Sequence, residues 1–353
     1  MAATDTATIA NEYATLTERC GVVDRSERGK LALTGPGTVE FLNGQVTNEL
    51  VGMRPGEGCY AAFLTHKGKM LGDLRILAVG PHPKHEPSEL LLDTERSALQ
   101  ALFDMIRRFK VGYEVELHKR TLECSLFSLI GPQAGEVVAR ACGLDSTSAP
   151  NLGASKRGSS ENESGGLPER EHDHLLVSLG QTPARLIRTD VGLDALFDSS
   201  AIETVRSALL DAGALEVSEA TAEIVRVEHG RPRYGVDLDE STIPQEAGLN
   251  ERAVSFTKGC YVGQETVARL HYRGKPNRHL RGLRLSEPAE PGAELRLGER
   301  SVGHLGSSVL SPRLGPIGLA LVRREAEPGD RLAVGDAGTG DGGVAIVSEL
   351  PFQ

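Results

Sequence analysis

The chain has 353 residues, of which 39 are Lys or Arg and 49 are Asp or Glu, so its formal net charge is −10. A chain of this size is expected to form two or three substructures, and its excess of acid argues against a general nucleic-acid binder. Its five cysteines are odd in number and lack CxxC spacing, which argues against a disulfide framework and a four-cysteine metal site.

The first twenty residues contain acidic and polar side chains without an apolar core, and they are not rich in arginine. They therefore predict neither a secretory signal nor a transit peptide. No run of the sequence approaches the roughly 20 apolar residues that span a bilayer. We expect a cytoplasmic protein in a reducing compartment, without a membrane partner.

Apolar periodicity predicts the elements of the first half. Five large apolar residues recur at helical spacing and predict a helix over Ser97–Phe109. Alternation of apolar with polar residues then predicts a strand over residues 111–117. Cys124–Ile130 is a more continuously apolar strand, and Ala134–Ala141 is predicted to be a short helix.

Residues 145–173 are rich in Ser, Gly, Asn, Glu and Pro and predict a long mobile loop. Within it, Asn162-Glu163-Ser164 matches a glycosylation acceptor, and Glu171-His172-Asp173-His174 has residue types that bind metals. We interpret both as solvated polar loop, because such acceptors matter in secreted chains and charged runs usually face solvent. No metal site is predicted.

Strands are predicted at Leu175–Leu179 and Ala184–Thr189, and helices at Ala201–Leu210 and Glu219–His229. Beyond residue 274 the pattern changes to short strands separated by turns, which predicts a small barrel. The Gly- and Asp-rich segment Gly335–Gly343 is interpreted as a surface turn. The six predicted barrel strands are Leu280–Leu285, Glu294–Leu297, Ser301–Ser307, Ile317–Arg323, Arg331–Val334 and Val344–Val347.

The segment of residues 258–265, KGCYVGQE, is the strongest candidate for chemistry. A thiol acts as a nucleophile or metal ligand in its thiolate form, which a neighbouring ammonium such as Lys258 would favour at Cys260. Gly259 and Gly263 permit positive φ and close approach of the backbone to a ligand. The alternative is that Cys260 is a small buried hydrophobe in a tight turn.

The sequence around this segment carries a family resemblance. The matching stretches are residues 226–237 (RVEHGRPRYGVD), 243–246 (IPQE), 266–274 (TVARLHYRG), 41–49 (FLNGQVTNE), 61–75 (AAFLTHKGKMLGDLR), 302–308 (VGHLGSS) and 315–320 (GPIGLA). Together they closely resemble the YgfZ-type folate-binding proteins, relatives of the glycine-cleavage T-protein (aminomethyltransferase) that serve in iron–sulfur cluster assembly or repair. The equivalent loop of the transferases has no cysteine, so Cys260 marks the branch.

This resemblance implies an α+β fold of the T-protein type. Residues 1–274 would form two mixed α/β subdomains with a tetrahydrofolate pocket between them, and residues 275–353 would form the C-terminal β-barrel. The implied folate-binding residues are Asp73, Asp190, Arg226, Glu228, Tyr261 and Gln264, with Cys260 and Lys258 as the reactive pair.

Two departures from the transferase pattern bear on function. Gly72 stands where the transferases have the first residue of an acidic pair, which leaves Asp73 as a single carboxylate. Asp190 stands where they have a glutamate that grips the pterin, and Leu193 replaces an aromatic residue. Geometry tuned for aminomethyl transfer is therefore not expected.

The resemblance predicts a tetrahydrofolate-binding protein that supports iron–sulfur client or assembly proteins through Cys260. The thiol could accept a one-carbon unit, ligate a cluster iron transiently or act by redox exchange. The alternatives are a true aminomethyltransferase of glycine cleavage and a non-enzymatic folate-binding scaffold.

Overall fold

A computed structural model describes residues 3–82, 86–143, 166–335 and 343–353. The first half of the chain forms helices and strands that belong to two different sheets. In chain order these elements are α1 (Ala3–Glu18), β1 (Gly21–Asp24), β2 (Gly29–Thr34), α2 (Thr38–Asn43), β3 (Gly58–Leu64), β4 (Met70–Val79), β5 (Glu89–Thr94), α3 (Leu99–Phe109), β6 (Glu116–Lys119), β7 (Cys124–Ile130) and α4 (Ala134–Ala141).

The second half completes one of these sheets and adds a separate barrel. Its elements are β8 (His174–Leu179), β9 (Thr182–Arg188), β10 (Gly192–Asp198), α5 (Ile202–Asp211), β11 (Leu215–Glu216), α6 (Glu219–Glu228), α7 (Asn250–Ala253), α8 (Gln264–Arg273), β12 (Arg278–Leu285), β13 (Glu294–Leu297), β14 (Arg300–Ser311), β15 (Gly315–Arg323), β16 (Arg331–Val334) and β17 (Val344–Ser348).

Two sheets form the core of the larger part. The first sheet has the strand order β3-β4-β5-β2-β6, and the second has the order β11-β1-β7-β10-β9-β8. Because side chains alternate along a strand, each sheet has two chemically different faces. The outer face of the first sheet, which includes Leu74 and Ile76, packs beneath α2 and α3, and that of the second, which includes Leu193 and Ala195, packs beneath α4 and α5.

The C-terminal strands close into a barrel in the order β12-β15-β14-β13-β16-β17, with β17 pairing back onto β12. Small and branched apolar side chains such as Leu283, Val302 and Val322 fill its interior. The predicted α+β architecture with a small C-terminal barrel is therefore confirmed. All six barrel strands lie where the sequence places them, with differences at their ends.

Other predictions of secondary structure have mixed outcomes. The helix at Ala134–Ala141 and the strand at Cys124–Ile130 are confirmed at both ends, and the helices α3, α5 and α6 are confirmed with shifted boundaries. The strand predicted over residues 111–117 is wrong in its first half. Val111 is 82% exposed in a turn that Gly112 enters with φ +94°, and pairing begins at Glu116.

Several elements were not predicted: every helix and strand before residue 97, the short elements α7 and β11, and the longer elements β10 and α8. Residues 192–198 form β10, a central strand of the second sheet, and residues 264–273 form α8 directly after the cysteine segment. Residues 144–165, which include most of the predicted mobile loop and the glycosylation motif, lie outside the described residues, as do residues 336–342 of the predicted surface turn.

Candidate functional site

The inner faces of the two sheets meet through buried charges as well as through apolar side chains such as Leu77 and Leu126. On the first sheet, the register pairs Tyr60 with Arg75 and Arg75 with Asp93, so all three side chains share a face. Arg75 Nη2 lies 2.8 Å from Asp93, and its Nη1 lies 2.7 Å from Asp194 on β10 of the second sheet. Ser128 Oγ donates to the other oxygen of Asp194 at 2.6 Å. These ionic contacts join the two subdomains.

This buried seam continues toward the start of β2. Arg28 donates to Asp93 at 2.9 Å and also contacts Glu95. Burial alone raises the pKa of the Asp93 carboxyl, but the charges of Arg28 and Arg75 together hold that pKa below its ordinary value. Asp93 is thus ionised and structural, and it is not a free acceptor for a ligand.

Asp73 lies two residues before Arg75 on β4 and has a different environment. Its Oδ2 accepts a hydrogen bond from the Tyr60 hydroxyl at 2.7 Å. Burial raises the pKa of Asp73 to about 6. The hydrogen bond from Tyr60 lowers this pKa and so offsets part of the effect of burial. Asp73 is therefore a carboxyl that can gain or lose a proton near neutral pH.

The neighbouring Gly72 explains why a single carboxylate is present here. A Cβ added at Gly72 would lie 2.6 Å from the Cβ of Ala98 and 2.6 Å from the ring of Phe63. Residue 72 points to the outer face of the sheet, where α3 packs, so this chain has no room for an acidic side chain at that position.

The segment of residues 171–174 lies against Tyr60, and the interpretation of it as solvated loop is wrong. His174 is 4% exposed, and its backbone N–H donates to the Gly56 carbonyl at 2.8 Å. The His172 ring stacks on Tyr60 with 6.1 Å between the ring centroids. Burial, followed by the charges of Arg75 and Arg252, lowers the pKa of His172 to about 3. Residues 171–173 form a turn that leads into β8 and lies against β3 of the first sheet, which hydropathy alone does not indicate.

Asp190 lies close to this segment but has its own partner. Arg231 Nε donates to Asp190 Oδ2 at 2.6 Å, and although burial raises the pKa of Asp190, the charge of Arg231 brings it below its ordinary value. Asp190 also acts on His172 through its charge. The structure thus brings Asp73, Tyr60, His172 and Asp190 into one region.

Arg226 and Glu228 have different surroundings, although they were predicted to belong to the same site. Arg226 binds Glu223 on its own helix, Asp237 at 2.9 Å and Ser307 of the barrel. Glu228 accepts from the Tyr13 hydroxyl of α1 at 2.9 Å. The Ser311 hydroxyl of the barrel also donates to the carboxylate of Glu228. These contacts fasten α6 to the barrel and to α1, and the folate-binding role of the two residues stays a prediction.

The cysteine segment is held in place by Lys258. The buried ammonium of this residue donates to the carbonyl oxygens of Asn43, Val46 and Asn48 at 2.6–2.9 Å. Burial lowers the pKa of Lys258 to about 8. Because its three donors are used by these carbonyls, Lys258 anchors the segment. The activation of the Cys260 thiol by the Lys258 charge, which the sequence suggested, stays a prediction.

Cys260 itself is exposed, so the alternative that it is a buried hydrophobe in a turn is wrong. Tyr261, the next residue, is buried in a core cluster with Ala62 and Met70, and burial raises its pKa to about 12. Gly263 then turns the chain at φ +85° into α8, where a Cβ would lie 2.6 Å from the Thr65 carbonyl. The segment thus presents the thiol between two fixed points.

Gln264, the first residue of α8, donates through its side chain to the Gly259 carbonyl at 3.5 Å.

Asn48 joins this segment to the Asp73 region. Asn48 accepts from Lys258 through its carbonyl, and its side-chain amide donates to the Tyr60 carbonyl at 2.9 Å. Among the described residues, Asp73 is hydrogen-bonded to Tyr60 and Gln264 to Gly259, so the folate-binding role of Tyr261 and Gln264 stays a prediction.

Sequence reasoning missed several residues of the site. Tyr60, Arg75 and Arg252 were not singled out, although Arg75 stands at i+2 from Asp73 on a predicted landmark and must share its face.

In the part of the chain that the structure describes, no group of three or more His, Cys, Asp or Glu residues could hold a metal ion. That same part contains no helix that is long and apolar enough to cross a membrane.

Comparison with known proteins agrees with this geometry. The chain matches the GCVT N-terminal domain over residues 3–158 and the glycine cleavage T-protein C-terminal barrel domain over residues 278–352. The fold is similar to that of the glycine cleavage system aminomethyltransferase T from Bartonella henselae, with a TM-score of 0.78, 22% identity, and coverage of 98% of this chain and 89% of that chain. The predicted T-protein-like fold is confirmed.

Three curated relatives show the range of similarity. A putative chloroplastic transferase of Arabidopsis thaliana is 28% identical, with 94% of this chain and 71% of that protein covered. The aminomethyltransferase of Thermotoga neapolitana is 27% identical (92% and 85% covered), and that of Corynebacterium jeikeium is 25% identical (90% and 82% covered). Since the plant relative is chloroplastic, cytoplasmic localisation stays a prediction for this chain.

Proposed function

Because its GCVT N-terminal domain and T-protein C-terminal barrel make this chain a homologue of the aminomethyltransferase superfamily, we propose that it binds tetrahydrofolate and supports the assembly or repair of iron–sulfur enzymes. The observation that carries the proposal is the exposed thiol of Cys260 on a segment that Lys258 fastens to the main chain. Asn48 ties that segment to the region of Asp73. A folate site and a reactive thiol would then lie on one rigid support.

The residues around Asp73 fit a reduced pterin chemically. A pterin has N–H donors on one edge, which a carboxylate can accept, and a flat ring, which aromatic side chains can contact. Asp73 supplies the carboxylate, while Tyr60 and Tyr234 supply aromatic surface close to it. When bound, tetrahydrofolate would supply a carrier for one-carbon units. With a pKa of about 6, Asp73 can hold or release a proton beside such a ligand.

Cys260 is assigned the role of the reactive group. The thiolate is the form that attacks an electrophile or binds a metal, and it needs access to its partner. The exposed position of Cys260 gives that access to a macromolecular client. A cluster iron would in this case be cargo of the client protein.

Two measurements test the proposal. Titration calorimetry with tetrahydrofolate should show saturable binding, and Asp73→Asn should weaken it roughly 10-fold, because a charged hydrogen-bond acceptor is lost. In a strain that lacks its own equivalent, the chain should restore the activity of an iron–sulfur enzyme, whereas Cys260→Ser should not. Cys142→Ser, at the end of α4, is the matched control and should rescue fully. Absence of saturable binding at millimolar ligand, by folded protein, would remove the folate assignment.

An aminomethyltransferase of glycine cleavage is the second candidate, since curated relatives with that name match more than nine-tenths of the chain. Three features argue against it. Gly72 has no room for a second carboxylate, Asp190 is occupied by Arg231, and Leu193 is fully buried beneath the helices of the second sheet. Reconstitution with the other glycine cleavage components should give no methylenetetrahydrofolate above background, and robust turnover would favour this second candidate.

A non-enzymatic folate-binding scaffold is the third candidate function. It would bind tetrahydrofolate and rescue the iron–sulfur enzyme, but it would have no need of the thiol. Rescue by Cys260→Ser at the level of the unaltered chain would therefore replace the proposed function by this one.

A further inference from the structure

His172 has a backbone conformation that an ordinary loop residue avoids. Its φ is +74°, in the left-handed region, where a residue other than glycine is uncommon. The surrounding structure imposes this conformation. The His172 N–H donates to the Arg188 carbonyl at 2.9 Å, and Gly58 lacks a Cβ that would lie 2.3 Å from the His172 carbonyl. Strain of this kind is retained where it aims a side chain.

The imidazole is aimed into a buried place and is left with an unused nitrogen. Nε2 lies 3.6 Å from a carboxylate oxygen of Glu171. Nδ1 is buried and has no hydrogen-bond partner among the described residues. Because the pKa of His172 is about 3, the ring is neutral, and a proton on Nε2 beside Glu171 leaves Nδ1 as an acceptor.

Arg252 presents the complementary group beside the same aromatic ring. Its Cζ lies 5.4 Å from the centre of the Tyr60 ring, and its Nη2 contacts the Glu171 oxygen that faces His172. Its Nε–H is buried and also lacks a partner among the described residues. An unpaired buried donor and an unpaired buried acceptor are each unfavourable, and a ligand that enters beside Tyr60 and carries both a donor and an acceptor would pair them.

We propose that His172 and Arg252 form a binding subsite for the lactam edge of a reduced pterin, whose N–H would donate to His172 Nδ1 and whose C=O would accept from Arg252 Nε. This inference rests on the proposed folate function and adds to it two binding residues that belong to the segment leading into β8 and to α7. Tyr60 lies next to both residues and holds Asp73 through its hydroxyl, so the subsite adjoins that carboxyl.

Calorimetry with tetrahydrofolate and with tetrahydropterin, which lacks the tail, tests the subsite. His172→Gly accepts the positive φ and removes the ring, and it should raise the Kd of both ligands roughly 10-fold. Gln181→Gly is the matched control, because Gln181 also has positive φ, at +70°, but lies in the exposed turn between β8 and β9. This control should bind both ligands as the unaltered chain does.

A second measurement uses the unaltered protein and does not depend on the folding of a variant. The ¹⁵N resonance of His172 Nδ1 should move when tetrahydropterin is added. The ring of His118 on β6, whose Nε2 lies 2.8 Å from the Thr34 hydroxyl, should show no change.

The outcomes separate the two levels of the proposal. Failure of the unaltered chain to bind tetrahydrofolate would overturn the proposed function, and the subsite with it. Normal binding together with an unchanged Kd in His172→Gly and a fixed Nδ1 resonance would overturn the subsite alone. A loss with tetrahydrofolate that is absent with tetrahydropterin would place His172 at the tail and also contradict the proposal.

Discussion

Arg75 on β4 and Asp194 on β10 form a buried ion pair, with 2.7 Å between Nη1 and Oδ2, that crosses from one sheet to the other. The side chains of both residues are about one-tenth exposed, and Asp93 and Ser128 make further hydrogen bonds to them, while Arg75 Nε has no partner among the described residues. The interface between the two subdomains is therefore specified by charge at its centre. Such an arrangement fixes the relative position of the sheets, because a buried charge is strongly unfavourable unless its oppositely charged partners lie within reach.

Removal of Arg75 should consequently destabilise the fold strongly. Arg75→Met leaves Asp93 and Asp194 in the interior with one compensating cation fewer, and we expect a loss of about 3–5 kcal/mol in the free energy of unfolding. Urea denaturation followed by circular dichroism measures it. The control is Arg120→Met, which breaks a partly exposed pair with Glu123 and should cost less than about 1 kcal/mol. Equal losses in the two variants would contradict the structural role of the buried pair.

The raised pKa of Asp73 predicts a specific dependence of stability on pH. Because the carboxyl titrates at about 6 in the folded state and at an ordinary value of 3.8 when unfolded, the folded state binds more protons between these values. The unaltered chain should therefore lose stability relative to Asp73→Asn as the pH rises through this window, on the order of 2–3 kcal/mol in total. Urea denaturation at a series of pH values gives the difference.

A control of opposite sign is available at the surface. Hydrogen bonds from Ser200 lower the pKa of Asp198, so Asp198 should contribute stability that is lost as the pH falls. If the stability of the unaltered chain rose with pH relative to Asp73→Asn, burial would not be the dominant influence on Asp73.

Cys260 should react with iodoacetamide faster than the other four cysteines. Cys260 is exposed, whereas burial raises the pKa of Cys20 and of Cys59 to about 12 and also raises the pKa values of Cys124 and Cys142. Mass spectrometry of labelled peptides over time measures each rate. Cys260→Ser should remove the fast phase, and Cys124→Ser should keep it. A fast phase that persists in Cys260→Ser would mean that another thiol is the accessible one.

Lys258 should be required for the position of the cysteine segment. Lys258→Met leaves three carbonyl oxygens without a donor, so we expect a loss on the order of 3 kcal/mol in stability and faster proteolysis within residues 255–263. Lys67→Met changes an exposed lysine in the neighbouring turn between β3 and β4, and it should stay within about 0.5 kcal/mol of the unaltered chain. A loss confined to Cys260 reactivity, without a change in stability, would instead support the activating role that the sequence suggested.

Elements with strong short-range patterns could be predicted from sequence. The helix α3 follows from five apolar residues at helical spacing, and the barrel strands follow from short alternating runs bounded by turns. The strand predicted from Val111 failed because alternation over a few residues does not distinguish a strand from a turn that contains glycine. The central strand β10 was missed because its residues had been interpreted as a family motif rather than as a buried run.

At the candidate site, what the sequence predicts and what the structure adds can be separated more clearly. Through its resemblance to the family, the sequence by itself predicts that Asp73 belongs to a landmark segment, that Gly72 leaves it as the single carboxylate, and that Cys260 distinguishes this chain from the transferases. These conclusions depend on residue identity at matched positions, which the sequence contains in full.

Tertiary structure alone decided which of these residues meet. In the folded protein, Lys258 donates to a carbonyl of the segment around Val46, and Arg226 donates to Ser307 of the barrel. His172 packs against Tyr60. A charged or polar side chain carries no sign in the sequence of whether it faces solvent or a buried partner, because the energy of each choice depends on groups far away along the chain. Those partners come together when the two sheets pack, and that packing gives the charges of this protein their roles.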